Sequence, residues 1–156
     1  MKYFGEGLSE KHKELNSIIR KKDYVHEAKN IFLEIHANLH LSKVSGTERN
    51  EVDALTEDLQ DEEYTVMPTI KDETMAWAFW HIARMEDLTM NILVAGQEQV
   101  FDSAWKLRMN ATILDMGNAL NDEEILRLSK SLHIQELLNY RNSADASHTP
   151  CNAPPQ

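Results

Sequence analysis

Seven histidines are the residues of this sequence best suited to chemistry: His12, His26, His36, His40, His81, His133 and His148. His36 and His40 stand four positions apart in a stretch of helical apolar spacing, which puts both rings on one face. Their Cβ atoms would be about 6 Å apart, close enough to hold one metal ion. A third ligand has to come from a neighbouring helix, and His81, on the apolar stripe between Trp77 and Leu88, is the candidate. The competing reading of these three is a set of partly buried histidines satisfied by hydrogen bonds. The pair is not an HExxH motif, because Ala37 follows His36 and supplies no general base. His12, His26 and His148 lie among polar residues and are expected in solvent. His133 adjoins a helix boundary, where it serves either the negative end of a helix dipole or a metal.

Other chemistry-bearing types are sparse. Glu86 and Asp87 follow His81 by five and six residues; they could orient a ligand histidine, or simply form a solvated face, the reading favoured here. Trp77, Phe79 and Trp80 sit at helical spacing and read as core rather than as a cofactor box. Cys151 is the only cysteine and lies in a terminal stretch without apolar periodicity, a poor setting for a nucleophile. No Ser-His-Asp grouping, phosphate-cradling glycine loop or CxxC pair occurs, so the sequence supports neither classical nucleophilic nor nucleotide chemistry and assigns no catalytic residue.

These residues need helices to position them. Ala28, Ile31, Phe32, Ile35 and Leu39 form a stripe that predicts a helix from Lys22 to about Ser42, stopped by Ser45-Gly46. Leu8, Leu15, Ile18 and Ile19 suggest a weaker segment before it. Val52, Leu55 and Leu59 predict one short helix inside the acid-rich stretch 48–63, ended by Met67-Pro68. Asp72 or Thr74 is placed to cap a long helix carrying Trp77, His81, Leu88 and Ile92 and closed by Gly96. A short segment over 101–109, a Gly117-Asn118 turn, a helix capped by Asn121, and a final one through Ile134, Leu137, Leu138 and Tyr140 follow. Periodicity ends at Arg141, so 1–141 is expected to be one domain and 142–156 a disordered tail. With five Gly, four Pro and no period-two run, the fold class is all-α.

Composition narrows the partners. The 156 residues suffice for one domain with a core. Sixteen Lys and Arg against 26 Asp and Glu give a net charge of −10, which disfavours nucleic acid and membrane surfaces as partners. A single cysteine and the absence of a basic-then-apolar leader point to the cytoplasm. The longest apolar run, 75–80, is far too short to span a bilayer.

The run Ala76-Trp77-Ala78-Phe79-Trp80-His81-Ile82-Ala83-Arg84-Met85-Glu86-Asp87 resembles the W-x-x-W-H-I-A-R-x-E-D signature of a bacterial branch of the DinB-like superfamily. Stretches 105–110, 112–120, 122–125 and 138–141 extend the resemblance over roughly residues 25–141. It implies a four-helix up-down bundle, often a homodimer, with three histidines holding a divalent metal, Zn²⁺ or Ni²⁺. His81 is the best-matched ligand, and His36 and His40 match a histidine pair on the first bundle helix. The superfamily's characterised enzymes include transferases and isomerases that use bacillithiol, mycothiol or related small thiols, so the resemblance implies such a thiol and a small-molecule acceptor. Members of this branch usually continue past the Tyr-Arg motif into a last helix with an R-H-x-x-x-H-L-N-E-like pair. No such pair follows Arg141 here, which leads to the expectation of a C-terminally truncated or frame-shifted member lacking the last helix. The alternative function is a non-catalytic helical module that docks a partner helix or a second copy without metal.

Overall fold

The protein is described by a computed structural model covering residues 7–69 and 72–146. Eight α-helices and no strand occur among the described residues. They divide into two compact units, Met1–Asp58 and Leu59–Gln156.

In the first unit, α1 (Leu8–Ile18) and α2 (Val25–Asn38) form a helical hairpin joined by a 3₁₀ turn at Lys22–Tyr24. Leu15 and Ile18 from α1 close on Ala28, with Ile31 and Ile35 packed alongside. An ion pair between Lys11 and Glu34 links the two helices. α2 ends at Asn38, four residues short of the expected boundary. The Ser45-Gly46 stop terminates a separate one-turn helix, α3 (Ser42–Ser45), with Gly46 in the left-handed region at φ 69°. α4 (Glu51–Thr56) follows, shorter than its apolar spacing suggested. It buries Val52 and leaves Leu55 exposed.

The second unit holds the larger core. α5 (Met75–Glu86) begins at Thr74, whose Oγ1 accepts from the Trp77 N–H at 3.0 Å, so Thr74 rather than Asp72 is the cap. α7 (Asp122–Ser131) and α8 (Ile134–Ala146) pack with it, and α6 (Ser103–Met109) packs on α8. Trp80, Met109, Leu128, Leu137 and Tyr140 are fully buried at the centre, with Phe79, Phe101 and Tyr64 around them. Phe101 meets Trp80 edge-on, at 5.4 Å and 88°, a favourable quadrupolar arrangement. The aromatic run is therefore core, as its spacing indicated. α7 opens with the reciprocal Asn121–Glu124 capping box, the start that Asn-Asp-Glu-Glu foretold.

Two segments depart from the sequence reading. The long helix changes after Glu86 into a π-helical run, Asp87–Val94, closed by an i+5 hydrogen bond from Ala95 N to the Met90 carbonyl at 2.9 Å. The 3.6-residue stripe stops applying there, which is why Ile92, expected beside Trp77 and His81, is exposed. α8 runs five residues past the expected boundary at Arg141, with Ala144 fully buried. Polar Asn142, Ser143 and Asp145 disguise a helix that packing of Ala144 sustains. The remainder of the expected tail, including His148 and Cys151, lies outside the described residues. No described helix is long and apolar enough to cross a membrane.

Candidate metal ligands and the loop that holds them

His36 and His40 come together within the first unit, though not as two rungs of one helix. His36 lies in the last turn of α2 and His40 just beyond its end. Their rings are 4.6 Å apart between centroids and inclined by 38°, with ligand nitrogens within 4.8 Å of each other. His40 is buried and His36 half-buried.

The cap of α4 fixes the chain at His40. Asn50 Nδ2 donates to the His40 carbonyl at 2.7 Å, while its Oδ1 accepts from the Val52 and Asp53 N–H groups. Asp53 completes the capping box by accepting from Asn50 N at 2.9 Å, and its other oxygen accepts from Ser42 N at 3.1 Å. The Asn50 backbone N–H, followed by the Ser42 contacts, holds the Asp53 carboxyl below its usual range. One cap thus satisfies the start of α4 and pins both ends of the 40–42 segment.

In the second unit, the polar groups of the Trp-Trp-His-Arg signature share one destination. Trp77, Trp80, His81 and Arg84 fall on one face of α5 at i, i+3, i+4 and i+7. Trp77 Nε1 donates to the Gly117 carbonyl at 3.3 Å, and Trp80 Nε1 to Asp115 at 3.1 Å. His81 Nδ1 lies 2.9 Å from the Met116 carbonyl, and Arg84 Nε and Nη2 donate to Leu114 at 3.2 and 2.9 Å. Four consecutive carbonyls of the 114–117 loop are thereby held from a single helix face. A carbonyl oxygen only accepts, so Nδ1 of His81 carries the hydrogen and Nε2 keeps the lone pair in the neutral ring. The ring also stacks on Trp77 at 4.7 Å and 9°. A nitrogen ligand oriented through its second N–H is the usual arrangement at metal centres.

Glu86 and Asp87 differ sharply. Glu86, the last residue of α5, is half-buried. Asp87, read from sequence as part of a solvated face, is completely buried and accepts five hydrogen bonds. Oδ1 takes Asn91 Nδ2 at 2.8 Å and Val100 N at 2.7 Å; Oδ2 takes Phe101 N at 2.8 Å, the Tyr140 hydroxyl at 2.7 Å and Arg84 Nη1 at 3.2 Å. Burial pushes its pKa up, but the donors from Tyr140, Val100, Asn91 and Phe101 outweigh that and leave it below the ordinary value. Arg84 also donates to Tyr140 at 3.0 Å and Gln99 at 2.9 Å, which uses all five of its N–H groups. Burial, then the bond to Asp87, drives the Tyr140 hydroxyl far above its usual pKa. Arg84, Asp87 and Tyr140 are therefore architecture, tying α5 to α8 and to the 99–101 segment.

The other histidines sort as their settings suggested. His133 Nδ1 donates to the Arg108 carbonyl at 2.8 Å, so the ring satisfies the C-terminus of α6. His12 and His26 are exposed.

A family model described as the DinB superfamily matches residues 46–148. The matched range contains His81 and the 114–117 loop, and begins after His36 and His40. No curated protein matches the chain.

Proposed function

The chain belongs to the DinB superfamily, and from that premise we propose that it holds one divalent metal ion through His36, His40 and His81. The observation that carries the reading is the His81 ring: its Nδ1–H is committed to the Met116 carbonyl, which leaves Nε2 as a preset lone-pair donor. The close approach of the His36 and His40 rings supports the pair as the other two nitrogens. Neutral imidazoles suit Zn²⁺ or Ni²⁺. When bound, such an ion would supply a place where a small thiol of the bacillithiol type is held as its thiolate at neutral pH. The reaction class this favours is thiol transfer to a small-molecule acceptor in the cytoplasm, in keeping with the chain's acidic balance and single cysteine. Asn50 would keep the segment carrying His40 in place, and the 114–117 loop would keep His81 in place.

Competition titration against a chromogenic chelator tests the ligand set. His81→Ala, His36→Ala and His40→Ala should each weaken Zn²⁺ binding at least tenfold while far-UV circular dichroism stays unchanged. Glu86→Gln tests whether the half-buried carboxylate at the end of α5 supplies a further ligand. Unaltered affinity in His81→Ala would remove His81 from the set.

A second reading has its own support. Ile82, Met85 and Leu93 of the second unit are all exposed, Leu93 at 78%. Apolar side chains of this size on one stretch of helix favour docking of a second copy, a homodimer without catalytic role. Sedimentation showing a monomer across the micromolar range would count against it.

A further inference from the structure

Either nitrogen of a neutral imidazole can carry the hydrogen, and the partner of one nitrogen decides the state of the other. For His81 that partner is a backbone carbonyl, Met116 O, whose position depends on the loop around it. We infer that the 114–117 loop selects the tautomer and aim of His81, which makes Asp115 and Gly117 positioning residues for that side chain. This deepens the metal reading and rests on it for its effect on affinity.

Two local devices give the loop its shape. The Asp115 side chain turns back and accepts from Gly117 N at 2.7 Å, an Asx turn that encloses Met116. Gly117 then adopts φ +80°, where a side chain is strained, and an added Cβ would stand 3.0 Å from Trp77 Nε1. Trp77, Trp80 and Arg84 hold the Gly117, Asp115 and Leu114 carbonyls, so the Met116 carbonyl is bracketed on both sides. Its direction toward His81 follows from its neighbours. The Asp115 side chain is exposed, so it shapes the loop without contributing to the core. Its removal is a clean perturbation.

The test reads the tautomer directly, on metal-free full-length protein, by long-range ¹H–¹⁵N correlation of the His81 ring. Wild type should show Nδ1 protonated and Nε2 bare. Asp115→Ala should show a mixture of tautomers, Asp115→Asn, which keeps an acceptor at Oδ1, should restore the wild-type pattern, and Gly117→Ala should disturb it most. In Zn²⁺ titrations Asp115→Ala should lose about tenfold in affinity and Asp115→Asn little. A wild-type ring protonated on Nε2, or an unchanged tautomer in both Asp115→Ala and Gly117→Ala, overturns the inference. Absence of Zn²⁺ binding in wild type with the expected tautomer pattern would instead remove the metal reading and leave the positioning role standing.

Discussion

Replacing Asp87 with Asn keeps the shape of the side chain and removes its charge, so it isolates what the buried carboxylate does. Asp87 accepts from five donors, two of them backbone N–H groups, one on each oxygen. An amide presents one oxygen and one NH₂, so in either orientation one of the Val100 and Phe101 N–H groups loses its acceptor inside the core. Stranding a buried donor costs about 1–3 kcal/mol. Arg84, itself buried, loses its counter-charge, and breaking a buried ion pair costs about 3–5 kcal/mol. These terms overlap because Arg84 keeps its bonds to Leu114, Gln99 and Tyr140, so the net loss should be about 4 kcal/mol. For a chain of this length that is a fall in Tm of roughly 8–16 °C. Urea unfolding followed by tryptophan fluorescence is the assay, since all three tryptophans lie in the unit that contains Asp87. Acid sharpens the test. Because the folded-state pKa of Asp87 is depressed, its stabilisation is present above the ordinary aspartate value, about 3.9, and is lost as pH falls through the lower folded value. Asp87→Asn should therefore flatten the stability–pH curve below about pH 4. A loss under about 1 kcal/mol at pH 7 would refute the claim that this network holds α5 to α8.

Three further outcomes follow from local contacts. Asn121→Ala, which removes the capping box of α7, should cost about 1 kcal/mol in the same urea assay. Asn50→Ala should cost a similar amount of stability and, by freeing the His40 carbonyl, also weaken Zn²⁺ binding; stability loss with unchanged affinity would separate the cap from the ligand. Trp77 stacks on His81, so Zn²⁺ should change tryptophan emission in wild type and in Trp105→Phe, but not in His81→Ala.

Helix starts were plain in the sequence because capping chemistry is local: Thr74 and Asn121 each carry an acceptor ahead of a periodic run. What the sequence does not display depends on distant partners. Asp87 reads as solvated because an isolated carboxylate belongs in water, and Asn91, Val100, Phe101, Tyr140 and Arg84 together make its burial tolerable. The same desolvated anchor opens the π-helical run, so a 3.6-residue stripe drawn through Leu88 and Ile92 misplaces the latter. α8 beyond Arg141 is hidden in the sequence because the buried Ala144 is too small to register as an apolar stripe. The clamp on the 114–117 loop was invisible for another reason: its acceptors are backbone carbonyls, which every residue has.

The ligand assignment is tested most directly by elemental analysis of untagged protein, with His81→Ala beside it. Close to one Zn²⁺ or Ni²⁺ per chain in wild type and near none in the variant is the expected result. A wild-type chain purified and zinc-treated yet carrying no metal, or a His81→Ala chain that keeps a full equivalent, would contradict it.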